Sequence, residues 1–230
     1  MKNMTLKIAA IIAIVLLTTS PGIAAAAPPV AWSQTVIETL SGSFIMGNPA
    51  ARNHVIEYAS YTCSHCAAFE ASEAPKLKIA SVNSGKAKFE IRTLVRDPID
   101  LTLAMLARCG GKAKFFGNHK FLMANQIAIQ NKAGQISAAS KTKLENRDIT
   151  GFMLGAYSDM QLDSMMSQRG VTNAASRICL SDKAALNKIL ALGQEASSKY
   201  AINGTPSFII NGKLAEVKPT AAAIGALLTQ

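Results

Sequence analysis

A Cys-x-x-Cys motif between a predicted strand and a predicted helix constrains the fold of this chain more than any other feature. The run His54–Ser60 is short and mostly apolar, as expected of a strand. The motif CSHC follows at residues 63–66 and opens a helical pattern that Pro75 should kink or end. The alternating run Lys88–Val95 then predicts a second strand. Two strands joined across a helix in this way should be parallel.

The remainder of the chain is predicted to be helical in the middle and extended near both ends. Helix breaks are expected at Gly151 and Gly155. Asp159 and Ser181 are predicted helix N-caps. Further strands are predicted at Val36–Leu40, Ser43–Met46, Ser207–Ile210 and Lys213–Val217, and helices at Leu101–Cys109, Ala113–Gln130, Ser137–Leu144, Met160–Gln168, Ala174–Leu180 and Lys183–Tyr200.

The C-terminal end carries a strong hairpin signal. Asn211 and Gly212 separate two strand candidates, and this dipeptide favours a tight two-residue turn. Pro219 then opens a final apolar helix. The predicted order is therefore β-α-β, a helical insertion and β-β-α, which describes an α/β fold with one small sheet covered by helices.

The first 26 residues have the pattern of a cleavable secretory signal peptide. Lys2 and Lys7 form a charged start, and an uncharged apolar run, Ile8–Leu17, follows. Ala24 and Ala26 then supply a small-residue cleavage site. The apolar run is shorter than the ~20 residues that span a membrane. We therefore expect cleavage after Ala26 and export to the periplasm, where disulfides persist.

Composition excludes several classes of partner. The whole chain has 24 Lys and Arg residues against 14 Asp and Glu residues, a net charge of +10. These basic residues are scattered and form no run of the kind that binds nucleic acid, so they indicate a solvated surface. The sequence predicts no nucleic-acid partner, no cofactor and no metal.

The position of the motif predicts redox chemistry. At a helix N-terminus, free N–H groups and the helix dipole stabilise an anion. Cys63 would be the exposed thiolate, and His65 would add a nearby positive or donor group that lowers its pKa further. Cys66, one turn into the helix, would be more buried and keep its proton.

Other interpretations of the motif stay open from the residues alone. A structural disulfide between Cys63 and Cys66 would be strained by the short loop. A zinc or copper site needs about four ligands, and the chain has no second Cys-x-x-Cys. Haem attachment is excluded, because it requires His directly after the second cysteine and Ala67 stands there.

Glu57 is the third candidate site residue. It lies six residues before Cys63 on the apolar strand, so its carboxyl group would sit beneath the disulfide. Burial would raise its pKa and let it exchange a proton with Cys66. The alternative is a carboxylate that is paired with another group or lies at a sheet edge.

The segment VIEYASYTCSHC, followed much later by NGTPSFIING, resembles the DsbA family of exported thiol–disulfide oxidoreductases within the thioredoxin superfamily. The resemblance covers about Ser43 to Gln230. It implies a thioredoxin core with an inserted α-helical domain. The expected divisions are a signal peptide at 1–26, a short N-terminal segment at 27–42, the core at 43–97 and 201–230, and the helical insertion at 98–200.

The resemblance also implies roles for single residues. Cys63 matches the nucleophile, Cys66 the resolving cysteine and Glu57 the buried acid. Pro206 matches the cis-proline that faces the disulfide, so that Thr205 beside it can pair with an extended substrate peptide. Ser64 and His65 would line the same substrate site. The implied partners are reduced or unfolded exported proteins and a membrane quinone-linked reoxidase of the DsbB type.

Two departures from the family's pattern make it less clear whether the protein oxidises dithiols or isomerises and reduces disulfides. The central dipeptide is Ser64-His65, whereas the best-known oxidases of the family have Pro-His. Thr205 stands where those oxidases tend to have Val and isomerases or reductases tend to have Thr. The segment Ala27–Leu40 is too short for the dimerisation module of such isomerases, which favours a monomeric oxidase.

Two cysteines remain outside the motif. Cys109 and Cys179 lie on predicted helices of the insertion. If Cys63 pairs with Cys66, these two can form the second intramolecular disulfide. A pair of buried thiols is the alternative.

Overall fold

A computed structural model describes residues 31–228, so the predicted signal peptide and the first residues after it lie outside the described part of the chain. The core is one six-stranded sheet. Its order is β1-β2-β4-β3-β5-β6, and only the central pair β3/β4 is parallel, as predicted. The strands are β1 (Val36–Glu38), β2 (Phe44–Gly47), β3 (Asn53–Ala59), β4 (Ala87–Thr93), β5 (Ser207–Ile210) and β6 (Lys213–Ala215).

Helices surround this sheet and fill the interval between β4 and β5. The break predicted at Pro75 is present, because the helix after the motif ends at Ser72 and a new short helix starts at Ala74. The helices are α1 (Ser64–Ser72), α2 (Ala74–Leu77), α3 (Pro98–Ala107), α4 (Phe115–Ala124), α5 (Gln126–Lys132), α6 (Ala138–Glu145), α7 (Ile149–Asp159), α8 (Leu162–Ser167), α9 (Asn173–Leu180), α10 (Lys183–Tyr200) and α11 (Ala221–Ala226).

The helix breaks predicted at Gly151 and Gly155 are wrong, because both glycines lie inside α7. A Cβ atom at position 151 would collide with the side chain of Asp148, which caps the helix by accepting a hydrogen bond from the Gly151 N–H at 2.8 Å. A Cβ atom at position 155 would collide with Ser140 of α6. Glycine here permits close packing, and this gain outweighs its poor helix propensity.

The two predicted N-caps are also wrong. Asp159 ends α7, and its carboxylate accepts hydrogen bonds from the hydroxyls of Ser137 and Ser140 at 2.8 and 2.6 Å. Ser181 follows the end of α9, and the N-cap of α10 is the next residue, Asp182, which binds two N–H groups of the first turn. Asp159 therefore joins α7 to α6 and does not start a helix.

The C-terminal hairpin is confirmed. Asn211 and Gly212 both adopt positive φ angles, 51° and 83°, as a type I′ turn requires. Phe208, Ile209 and Ile210 of β5 are buried between β3 and β6. The hairpin thus completes the sheet next to the strand that precedes the motif.

Apolar clusters cover both faces of the sheet. The larger includes Phe44, Val55 and Phe89 and continues into the helices between β4 and β5. A smaller cluster, Ile56, Tyr58, Ile209, Ala196 and Ile202, packs the end of α10 against the opposite face. The helices between β4 and β5 run from Pro98 to Tyr200. The domain boundaries drawn at 97/98 and 200/201 stay a prediction.

A disulfide joins Cys109, after α3, to Cys179 in α9, with Cα atoms 5.8 Å apart. The disulfide closes a loop in the unfolded chain and so lowers its conformational entropy. Removing the cross-link restores this entropy and stabilises the unfolded state. The 70-residue separation corresponds to about 4 kcal/mol in the chain-entropy model. The double variant C109A/C179A should therefore lose about that much free energy of unfolding in urea titrations under oxidising conditions. Reduced wild-type protein is the matched control, and equal stability of oxidised wild type and variant would contradict the prediction.

Among residues 31–228, no helix combines the length and apolar character needed to cross a membrane.

Candidate active site

The motif cysteines lie where strand β3 passes into helix α1. Cys63 is the N-cap residue of α1, and Cys66 lies in its first turn. Both are free thiols. Cys66 is fully buried, and Cys63 is only 3% exposed. The exposed position predicted for Cys63 is therefore wrong, because a loop from the C-terminal part of the chain covers it.

This covering loop contains Thr205 and Pro206, joined by a cis peptide bond. It immediately precedes β5, which pairs with β3 and so places the loop at the same end of the sheet as the motif. The thiol of Cys63 donates a hydrogen bond to the carbonyl oxygen of Thr205, with 3.1 Å between Sγ and O. The sheet thus brings together two segments that are 142 residues apart in sequence.

The two thiols have opposite pKa shifts. Burial raises the pKa of Cys63, but the Thr205 side chain and backbone N–H groups at the start of α1 outweigh it, so the net pKa lies below its ordinary value. Burial raises the pKa of Cys66 strongly, and a negative charge on Glu57 raises it further. Cys63 is therefore the more acidic thiol, and Cys66 keeps its proton at neutral pH.

Glu57 lies on β3 and is 1% exposed. Burial raises the pKa of its carboxyl group well above the ordinary value, the charge of Glu70 raises it further, and Lys78 opposes both. Within the described part of the chain, its Oε2 atom is buried and has no hydrogen-bond partner. An oxygen of this kind is suited to exchanging a proton with the nearby Cys66.

A buried polar network that the sequence analysis missed surrounds Glu57. Glu70 of α1 forms an ion pair with Lys78 at 3.0 Å, and its second oxygen lies 3.7 Å from Nε2 of His119. The other ring nitrogen of His119 lies 3.0 Å from the Tyr61 hydroxyl. Burial raises the pKa of Glu70, but His119 and Lys78 lower it to about 2. The position of Glu70, one helical turn after Cys66, was the sequence signal that could have indicated this network.

Ser64 and His65 are exposed at the start of α1. The His65 backbone N–H is one of the groups that lower the pKa of Cys63, and its side chain lines a small cavity of about 120 Å³ with Phe69 and Pro219. Among residues 31–228, no cluster of three or more His, Cys, Asp or Glu side chains could hold a metal ion.

A dithiol at a helix N-terminus, facing a cis-proline loop across the end of a sheet, defines the thioredoxin class of redox proteins. The chain belongs to the thioredoxin family, because the family model described as Thioredoxin matches residues 39–230. The fold is a thioredoxin fold with helices inserted between β4 and β5, and the predicted resemblance to DsbA-like proteins is confirmed for the fold.

Similar solved structures support this assignment. A protein-disulfide isomerase from Novosphingobium aromaticivorans is 33% identical, with a TM-score of 0.73 over 80% of this chain and 94% of the other. Alpha-DsbA1 of Wolbachia pipientis shares the fold, at 24% identity and a TM-score of 0.55 over 76% of this chain and 78% of the other.

Among curated relatives, a Rickettsia bellii protein named "Putative protein-disulfide oxidoreductase" is 26% identical over 168 residues, which are 73% of this chain and 56% of that protein. The chain spans about half the length of the curated relatives it matches.

Proposed function

We propose that this protein is an exported thiol–disulfide oxidoreductase that introduces disulfides into other exported proteins. The observation that carries the proposal is the placement of the two thiols, with Cys63 as the N-cap residue of α1 beside Thr205 and Cys66 buried in the first turn. The pKa shifts, lowered at Cys63 and raised at Cys66, agree with this placement. A stabilised Cys63 thiolate lowers the free energy of the reduced enzyme and makes the oxidised enzyme a stronger disulfide donor.

The reaction proceeds by two thiol–disulfide exchanges. A substrate thiolate attacks Sγ of Cys63 in the oxidised enzyme, the bond to Cys66 breaks, and Cys66 leaves as a thiolate that takes a proton. The second thiolate of the substrate then attacks the substrate sulfur of the mixed disulfide, and Cys63 leaves as its stabilised thiolate. Two electrons pass from the substrate to the enzyme, which ends as the dithiol.

Glu57 acts as the proton donor and acceptor for Cys66 in this scheme. Its raised pKa lets the carboxyl group keep a proton at pH values where an ordinary carboxyl group would be ionised. It can therefore protonate the Cys66 thiolate as that group leaves and take the proton back during reoxidation.

The substrate is bound beside the sulfur. Thr205 and cis-Pro206 present backbone to an extended peptide, as in strand addition. Ser64 and His65 form the exposed rim of the same site. Such recognition depends on backbone groups, so reduced or unfolded exported proteins of many sequences fit as partners. A DsbB-like, quinone-linked membrane reoxidase, a monomeric state and a periplasmic location complete the proposal.

A disulfide isomerase or reductase of the same fold is the second candidate. The 33% identical solved structure is described as a protein-disulfide isomerase, and Thr205 precedes the cis-proline in this chain. These observations favour a protein whose Cys63–Cys66 pair is kept reduced. Its Cys63 thiolate would then attack incorrectly paired disulfides in substrate proteins.

The equilibrium of the Cys63–Cys66 pair with glutathione tests the direction. Measurement in the C109A/C179A background isolates this pair. We expect the pair to be reduced by glutathione at ratios that leave thioredoxin oxidised, so its potential should lie well above about −270 mV. A potential at or below that value would sink the oxidase proposal. Isomerase activity on a substrate with scrambled disulfides would then support the second candidate.

A further inference from the structure

The three residues between β3 and Cys63 form a turn, Ser60–Thr62, that we call the entry turn. Its polar groups are bound mainly by side chains from helices that lie far away in sequence. This turn sets the position of Cys63, because it is the only covalent link between the sheet and the N-terminus of α1.

Two carboxylates at the start of α3 hold the entry turn from one side. Asp97 caps α3 and accepts a hydrogen bond from the Thr62 hydroxyl at 2.6 Å. Asp100 is completely buried and accepts hydrogen bonds from the Tyr61 N–H at 2.7 Å and from the Ser60 hydroxyl at 2.6 Å. Burial raises the pKa of Asp100 to about 6 despite these donors.

Two amides of α5 hold the other side. Gln126 is 4% exposed, and its Nε2 atom donates to the carbonyl oxygens of Tyr61 at 2.9 Å and Cys63 at 3.0 Å. Both amide hydrogens of this buried side chain are thus used on the backbone that carries the sulfur. Gln130, one turn later, donates to the Thr62 carbonyl at 3.2 Å.

The orientation of this backbone matters for the sulfur. The pKa of Cys63 is lowered partly by the N–H groups of His65 and Cys66, which belong to the first turn of α1. The Cys63 carbonyl that Gln126 binds also accepts the N–H of Ala67 at 3.2 Å. A rotation of the peptide units at Cys63 would change the distances between the sulfur and those N–H groups.

We propose that Asp100 and Gln126 are positioning residues for Cys63, and that through them the helices α3 and α5 hold its thiolate in contact with the N-terminus of α1. Neither side chain touches the sulfur; both act through the entry turn. The inference rests on the proposed dithiol exchange at Cys63.

Gln126→Met tests the proposal, because methionine has a similar length and no donor. The acid titration of the Cys63 thiolate, followed by its ultraviolet absorbance, should move to higher pH. The equilibrium with glutathione should move about fivefold toward the oxidised enzyme, the factor that corresponds to the loss of one ordinary hydrogen bond between the Cys63 thiolate and the first turn of α1. Gln168→Met, on an exposed position after α8, is the matched control and should change neither measurement. If Gln126 contributes to stability alone, Gln126→Met will have a lower melting temperature, and its Cys63 titration and glutathione equilibrium will match those of the wild type.

Two variants of Asp100 provide a second test if Gln126→Met does not fold. Asp100→Asn retains the shape and one acceptor but loses the charge, and Asp100→Ala loses all acceptors. We expect both to move the titration and the equilibrium in the same direction, the alanine variant further. Folded variants that match wild type in both measurements would overturn the positioning role. Wild-type protein that does not exchange with glutathione would instead refute the proposed function, and the Cys63 titration would still judge the positioning role.

Discussion

Replacing Cys66 with alanine should abolish the oxidation of dithiol substrates, and the remaining Cys63 thiolate should form long-lived mixed disulfides with substrates supplied as disulfides. In the proposed reaction Cys66 has one chemical task, which is to form and release the bond to Cys63. Without it no disulfide can be stored in the enzyme. We expect a rate loss of at least about 1000-fold, as for other removals of one member of a catalytic pair. Oxidation of a fluorescent dithiol peptide measures the rate. Mass spectrometry detects the mixed disulfide that forms when Cys63 attacks the same peptide supplied as its disulfide.

Matched cysteine variants separate the roles of the two thiols. Cys63→Ala should lose both oxidation and the mixed disulfide, because it removes the acidic sulfur. The C109A/C179A protein should keep the reaction, since those cysteines lie in a separate disulfide. Oxidation at the wild-type rate by the Cys66→Ala protein would contradict the assignment of Cys66.

Replacing Glu57 with glutamine should stabilise the reduced protein at alkaline pH and change little near pH 4. Burial raises the pKa of Glu57 in the folded state, whereas the unfolded chain releases this proton near the usual pKa of about 4.3. The folded state then binds more protons, so wild-type stability falls as the pH rises above that value. Glutamine does not ionise, and the variant should gain about 2 kcal/mol at pH 8, the scale of an unpartnered buried polar group.

Glu90→Gln is a matched control with the opposite sign. Glu90 is equally buried, but it contacts His54 at 2.7 Å and Arg92 at 2.6 Å. Burial raises its pKa, but these partners lower it to about 2. Its contribution to stability is present above the unfolded pKa and is lost as the pH falls toward 2. This variant should therefore lose about 2 kcal/mol at pH 8. Urea unfolding at pH 4 and pH 8 measures both, and a Glu57→Gln protein with the wild-type pH dependence would contradict the raised pKa.

Local pattern was sufficient for the elements next to the site. The alternation of apolar residues in β3 and β4, the helix after the motif and the Asn211-Gly212 turn all appear near their predicted positions. The prediction of helix breaks at glycine failed, because it was made from the local sequence alone. Gly155 lies within α7 at a position where Ser140 of another helix occupies the space that a side chain would need. Close packing between distant helices leaves no mark on the local pattern.

The pattern of residues around the motif was enough to indicate a redox dithiol at a helix N-terminus, since the strand, the two cysteines and the helix are adjacent in sequence. The surroundings of that dithiol depend on contacts across the folded chain. Thr205 covers Cys63 from 142 residues away, and Asp100 and Gln126 bind the entry turn from 39 and 65 residues away. Burial and the contact with Thr205 make the pKa values of the two thiols unequal, and both depend on segments that meet only in the folded chain.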